Sequence, residues 1–126
     1  MTTNFLIIIK QFLKKKLSEK KRLKLRKLYD DFRAIFVIYS LDKLGKVYRT
    51  DKIGSHYYTQ HYHKHFKKYR FKKVKLLEIG VGGYENPNAG GNSLRMWKKY
   101  FPFGKIYGID IYDKSALQEK RIKIQF

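Results

Sequence analysis

Residues 74–84 read Val-Lys-Leu-Leu-Glu-Ile-Gly-Val-Gly-Gly-Tyr, and this stretch decides the fold. Its first half is a short apolar run, which is typical of a strand buried in a parallel sheet. Its second half is a glycine cluster, where the backbone turns tightly and lets a ligand approach because no Cβ is in the way. A Gly-x-Gly pattern alone is a weak signal, and an ordinary strand-to-helix turn is the alternative interpretation.

The residues that follow continue an alternation of helices and strands. The pattern predicts a helix over 93–100 with Ser93 as its cap, and strands over 105–111 and 121–126. A further helix of about ten residues, centred on 114–120, is expected between those two strands. Parallel strands joined by crossover helices predict an α/β fold.

The residues before this region predict basic helices. Apolar residues recur at three- and four-residue spacing among lysines from Asn4 to Gly45, which indicates one or two amphipathic helices that end near Gly45. A loop over 46–59 and a short helix over 60–69 are expected next. The predicted division is a basic helical segment over 1–45, a loop and helix over 46–73, and an α/β domain over 74–126.

The net charge of +20 is concentrated in the N-terminal part of the chain. Residues 1–73 contain 21 Lys and Arg against 5 Asp and Glu, whereas residues 74–126 contain 9 against 5. Lysine runs at 14–16 and 20–27 suggest nucleic acid or an anionic membrane surface as an alternative partner, but a solvated helix face is favoured. The sequence contains no cysteine, and the apolar run Phe5–Ile9 is too short to span a bilayer. We therefore expect a cytoplasmic protein with no transmembrane segment.

Two acids stand at the ends of the first two predicted strands. Glu78 ends an apolar strand, where a carboxylate is costly unless it meets a ligand ammonium or N–H donors. Asp110 is placed where an acid of this fold binds the ribose hydroxyls of a nucleoside. The alternatives are a salt bridge from Glu78 to a lysine and a helix cap at Asp110.

The glycine loop also bears on the class of ligand. A dinucleotide-binding loop has a third glycine, but position 85 is glutamate, and an acid facing a pyrophosphate is unfavourable. S-adenosylmethionine has a carboxylate, an ammonium and a sulfonium but no phosphate, so it suits an acidic loop better.

Three segments together carry a family resemblance. They are Thr50–Thr59 (TDKIGSHYYT), Leu77–Tyr84 (LEIGVGGY) and Gly90–Trp97 (GGNSLRMW). They resemble class I S-adenosylmethionine-dependent methyltransferases, and more narrowly the bacterial macrolide and tetracenomycin sugar O-methyltransferases of the mycinamicin and macrocin type. The resemblance covers about residues 48–126, and residues 1–45 lie outside it.

The resemblance implies a Rossmann-like partial parallel sheet, strands 3-2-1 of the class I order, and a small-molecule sugar hydroxyl as the methyl acceptor. The cofactor-binding residues that it implies are Glu78, Ile79, Gly80, Val81, Gly82, Gly83, Tyr84, Ser93 and Asp110. Ser55 and Tyr58 are weaker candidates, because in relatives the segment that runs from Thr50-Asp51-Lys52 to Tyr58 lies near the cofactor. Relatives also use magnesium and a histidine base from later strands, and those positions have no counterpart here. We therefore expect a truncated chain that is inactive alone, and we name no catalytic residue.

Four histidines lie close together in sequence, at positions 56, 61, 63 and 65. A shared helical or strand face would allow a metal site. No Asp, Glu or Cys stands nearby to complete a ligand set, so a packing or surface role is favoured and no metal ligand is predicted.

Overall fold

The computed structural model describes residues 2–54 and 57–126. It divides the chain into two compact units, a first that ends at Ile35 and a second that spans Phe36–Phe126. The first unit contains helices α1 (Thr2–Lys16) and α2 (Glu19–Ile35), which contact each other. The Ser18 hydroxyl accepts a hydrogen bond of 3.4 Å from the Lys21 N–H and so begins α2.

The second unit is an α/β fold, as predicted. Its helices are α3 (Leu41–Tyr48), α4 (Tyr58–Phe66) and α5 (Asn92–Tyr100), and its strands are β1 (Lys75–Ile79), β2 (Lys105–Ile109) and β3 (Ile122–Gln125). Single 3-10 turns cover Lys67–Tyr69 and Ser115–Leu117. Within the described residues no helix is both long enough and apolar enough to cross a membrane.

The three strands form one parallel sheet in the order β1-β2-β3. Leu77 is in register with Tyr107 on β2, and Tyr107 is in register with Lys123 on β3. This confirms the partial Rossmann-like sheet expected from the resemblance.

Helix α5 covers one face of this sheet. It packs against β2 and β3 and also against α3, and it buries Leu94, Met96, Trp97 and Tyr100. The face of β1 and β2 that includes Leu77, Ile79 and Ile109 is exposed in this chain. The polypeptide therefore builds its core between α5 and one side of the sheet.

The prediction of a helix of about ten residues between β2 and β3 is wrong. Only the 3-10 turn Ser115–Leu117 forms there, because local groups satisfy the backbone without a helix. The Asp113 carboxylate accepts the Ser115 N–H at 2.8 Å. Glu119 and Ile122 form an isolated antiparallel β-bridge through their backbones. The Lys114 side chain is fully buried and donates hydrogen bonds to the loop that contains Asn86 and Ala89.

The helical segment before the sheet also differs from expectation. Gly45 lies inside α3 rather than at a helix end, and α3 continues to Tyr48. A Cβ at Gly45 would overlap the Ile53 side chain, so glycine is needed there for close packing and not as a stop signal.

The absence of a side chain at Gly108 lets α5 lie close to β2, and this generates a prediction. A Cβ at this position would lie 2.8 Å from Val81 Cγ2 and 3.0 Å from Leu94 Cδ1. We expect Gly108→Ala to lower the free energy of unfolding by about 1–3 kcal/mol because it overpacks this contact. Urea unfolding followed by circular dichroism measures the change, with Lys105→Ala, an exposed position on β2, as the control. An unchanged midpoint for Gly108→Ala would contradict this account of the packing.

Candidate functional site

A cavity of about 1000 Å³ lies at the carboxyl ends of β1 and β2. In open α/β sheets this is the edge at which ligands bind. The residues that line it are Arg49, Thr50, Asp51, Lys52, Glu78, Ile79, Gly80, Val81, Gly82, Gly83, Tyr84, Gly90, Asn92, Ser93, Ile109, Asp110, Ile111, Tyr112 and Phe126.

Glycine geometry shapes one wall of this cavity. Gly82 has φ +81°, and a Cβ built on it would meet nothing within 4 Å, so the missing side chain leaves open space beside the loop. At Gly90 there is no space for a side chain, because a Cβ there would overlap the Gly82 carbonyl. The loop of residues 84–91 thus folds back onto the glycine cluster, and the Gly91 N–H donates to the Val81 carbonyl at 2.9 Å.

The Asp110 carboxylate fastens the glycine loop to the end of β2. Its two oxygens accept the Val81 N–H at 2.7 Å and the Tyr112 N–H at 3.1 Å. Hydrogen bonds to a carboxylate favour its charged form, so they hold the pKa of Asp110 below its ordinary value. The N–H of Tyr112 contributes most to this lowering, and those of Val81 and Gly82 contribute less. The local turn at Tyr112 resembles the cap proposed as an alternative, but the bond to Val81 joins two separate segments.

The Glu78 carboxylate has three partners within the chain. It accepts the Ser93 hydroxyl and the Trp97 indole N–H, the latter at 2.8 Å, and Lys52 Nζ lies 3.3 Å from its Oε1. The salt bridge considered as the alternative for Glu78 is therefore present. Burial of this acid is offset by donors from α5 and by a lysine that precedes the sheet.

Ser93 does not cap α5 as the sequence suggested. The helix begins at Asn92, and its N-cap is Gly91 in the left-handed conformation at φ 72° with no side-chain hydrogen bond. Ser93 therefore lies in the first turn, and its hydroxyl is directed to Glu78. Sequence alone does not distinguish these positions, because a glycine with positive φ and a serine both begin helices.

Nine of the eleven predicted site residues line the cavity together: Glu78, Ile79, Gly80, Val81, Gly82, Gly83, Tyr84, Ser93 and Asp110. Ser55 lies outside the described residues. Tyr58 is not among the lining residues, and its ring lies 6.0 Å from that of Tyr62. As the first residue of α4, Tyr58 belongs to an aromatic contact along that helix.

The resemblance placed the segment that begins with Thr50, Asp51 and Lys52 near the cofactor, and these three residues line the cavity, although none of them was named as a ligand. The contributions of Arg49, Ile111 and Phe126 were not predicted. The predicted strand over 121–126 includes Phe126, but alternation does not show that a residue lines a cavity. Phe126 follows β3 directly and reaches the cavity because the parallel strands end at one edge.

Lys114 holds the loop of residues 84–91 in place. Its Nζ donates to the carbonyls of Asn86 at 2.7 Å and Ala89 at 3.2 Å, and the residue is 0% exposed. A buried ammonium is costly unless it is hydrogen-bonded, and here two backbone carbonyls serve that purpose.

The histidines do not assemble a metal site in the part of the chain that is described. His63 Nδ1 lies 3.1 Å from the Tyr100 hydroxyl, whereas His61 and His65 are exposed and His56 lies outside the described residues. Within residues 2–54 and 57–126 no three His, Cys, Asp or Glu side chains are grouped so that they could hold a metal ion.

Comparison with known proteins identifies relatives for less than half of the chain. Mycinamicin VI 2''-O-methyltransferase of Micromonospora griseorubida is 61% identical over 59 residues, which are 47% of this chain and 15% of that enzyme. A rhamnosyl-tetracenomycin-C 3'-O-methyltransferase of Streptomyces olivaceus is 52% identical over 58 residues, again 15% of its length. No protein-family model matches the chain.

A solved structure extends the match to the fold. MycE methyltransferase of the mycinamicin pathway, in complex with magnesium, S-adenosylhomocysteine and mycinamicin VI, is 53% identical with a TM-score of 0.65. The match covers 68% of this chain and 24% of that one. The resemblance to bacterial sugar O-methyltransferases is confirmed. This chain spans about a seventh of its curated relatives' length, so it corresponds to only part of such a methyltransferase.

The bonds to Asp110 generate a pH prediction. A carboxylate with a lowered pKa stabilises the fold above the ordinary pKa of aspartate, about 4, and this contribution is lost as the pH falls through its lower folded value. We expect the free energy of unfolding of the unaltered chain to fall over that acidic range, and Asp110→Asn to show a smaller fall. Urea unfolding at a series of pH values tests this, with Glu85→Gln, an exposed acid of the neighbouring loop, as control. Identical pH profiles for the unaltered and Asp110→Asn chains would contradict it.

Lys114 generates a second prediction. Lys114→Met keeps most of the side-chain volume but leaves the Asn86 and Ala89 carbonyls without their donor, so we expect a loss of about 1–3 kcal/mol in the free energy of unfolding. Hydrogen exchange should accelerate at the Ala89 and Gly91 amides more than in the strands. Lys120→Met, at an exposed position, is the control. Unchanged exchange at these amides would show that Lys114 does not hold the loop.

Proposed function

We propose that this chain is the S-adenosylmethionine-binding part of an O-methyltransferase that acts on a sugar hydroxyl of a small molecule. The observation that carries the proposal is the cavity shared by Asp110, Glu78 and the glycine loop in a segment that is 53% identical to a methyltransferase solved with S-adenosylhomocysteine. The sugar-bearing acceptor is inferred from the names of the relatives, which methylate rhamnosyl and macrolide compounds.

The lining residues fit the cofactor. The Asp110 carboxylate accepts the N–H groups of Val81 and Tyr112 and is also influenced by that of Gly82. Its two oxygens have about four acceptor sites, so the carboxylate can also accept a ribose hydroxyl. The open space at Gly82 allows the nucleoside to approach the backbone. Exposed apolar side chains at the rim, Ile79, Ile111 and Phe126, suit the adenine ring.

The bound cofactor would supply a methyl group on its sulfonium sulfur: an in-line hydroxyl oxygen would bond to the methyl carbon as the carbon–sulfur bond breaks, with S-adenosylhomocysteine as the leaving group. The described residues bind and orient the nucleoside, and none is assigned as the base that takes the hydroxyl proton. The related MycE structure contains magnesium, but the described residues offer no group of ligands that fits it, so no step is assigned to a metal here.

Calorimetric titration with S-adenosylhomocysteine tests the proposal. We expect binding by the unaltered chain and a loss of affinity of roughly tenfold or more in Asp110→Ala, because hydrogen bonds to a charged group are removed. Asp113→Ala is a matched control, since it removes a nearby acid that does not line the cavity and should leave affinity unchanged. NADH, which carries a pyrophosphate, should not compete.

Three outcomes would count against the proposal. They are the absence of S-adenosylhomocysteine binding, equal affinity in the unaltered and Asp110→Ala chains, and effective competition by NADH. The last outcome would favour the dinucleotide interpretation instead.

A further inference from the structure

Lys52 is a cation in the wall of the cavity, and the sequence assigned it no individual role. Its Nζ lies 3.3 Å from Glu78 Oε1, and the side chains of the pair are 20% and 10% exposed. Both residues line the cavity. An ion pair this sheltered keeps a fixed geometry, since little water competes for either charge.

Glu78 is poorly suited to bind the ammonium of a ligand. Its Oε1 is shared by the Ser93 hydroxyl and the Lys52 ammonium, and its Oε2 accepts the Trp97 indole N–H. Its negative charge is therefore already compensated by a lysine and two neutral donors. A second cation beside it would have to approach Lys52 as well, which like-charge repulsion opposes.

Lys52 retains donors that the described contacts do not use. An ammonium has three N–H donors, and among the described residues only Glu78 lies within ion-pair distance of Nζ. A partly buried ammonium is stabilised by a further acceptor, and an anionic one is best.

Several groups around Lys52 favour an anion. Arg49 also lines the cavity, and so do Asn92 and Ser93 in the first turn of α5. Asp51 is an acid in the same lining, and its carboxylate already accepts the Thr50 hydroxyl. That turn contains no acidic residue, and Gly91 at its cap has no side chain to occupy the helix N–H groups. The positive end of the helix thus adds to the field of the lysine.

We infer that Lys52 binds the carboxylate of the methionine portion of the ligand, and that Glu78 positions Lys52 rather than holding the ligand's ammonium. This inference rests on the proposed function, because it places a ligand with an amino-acid tail in the cavity. The two residues then bind different parts of the ligand: Asp110 binds the nucleoside, and Lys52 binds the carboxylate of the amino-acid tail.

A pair of ligands isolates this role. S-adenosylhomocysteine has the amino-acid tail, whereas 5'-methylthioadenosine retains the thionucleoside and lacks that tail. In Lys52→Met we expect the dissociation constant for S-adenosylhomocysteine to rise roughly 10- to 100-fold, as for the loss of a charged hydrogen bond. The dissociation constant for 5'-methylthioadenosine should remain within about twofold of that of the unaltered chain, and Lys52→Arg should retain most of the preference for the tail.

Two further variants keep the result interpretable. Lys46→Met removes an exposed lysine paired with Asp42 outside the cavity, and both affinities should be unchanged. The double variant Lys52→Met/Glu78→Gln leaves no unpaired charge, so it provides a folded protein if Lys52→Met alone does not fold, and it should show the same selective loss.

Equal losses for both ligands in Lys52→Met and in the double variant would overturn the inference, since Lys52 would then act only on the shape of the cavity. Unchanged affinity for S-adenosylhomocysteine would also overturn it. Failure of the unaltered chain to bind either ligand is a different result, because it would refute the proposed function itself.

Discussion

The site depends on the bond from the Val81 N–H to the Asp110 carboxylate. Val81 belongs to the glycine loop after β1, and Asp110 follows β2, so this contact of 2.7 Å joins the two strand ends on which the cavity is built. The loop has several glycines with positive φ and would sample many conformations without such a tie. A single carboxylate held by backbone donors therefore orders the loop and one wall of the cavity together.

A second set of contacts joins the helical elements to the sheet. Glu78 on β1 binds Ser93 and Trp97 of α5 and pairs with Lys52 from the segment after α3. Trp97 in turn contacts the aromatic rings of Tyr62 and Phe66 in α4. One acid thus connects the first strand with residues from before and after it in the chain, which explains how Arg49–Lys52 reach the cavity.

The amino-acid pattern predicts the sheet better than it predicts the connections. Apolar runs ending in Gly80 and Asp110 mark β1 and β2 because buried parallel strands are nearly uniform in hydrophobicity. The helix expected around 114–120 fails because Asp113 forms a local turn and Lys114 is buried against a distant loop, and neither contact leaves a trace in local periodicity. The position of Ser93 in the first turn of α5 depends likewise on the backbone conformation of Gly91.

The two acids illustrate why residue type at a strand end does not determine its role. Both were predicted to face a ligand, and both line the cavity. Asp110 is held by backbone N–H groups, which carry no net charge, so it keeps its negative charge and some of its acceptor capacity. Glu78 is held by an ammonium that neutralises it. In a chain with 30 basic and 10 acidic residues, an acid is readily neutralised by a nearby lysine, so an acid held by the backbone is the one that remains available to a ligand.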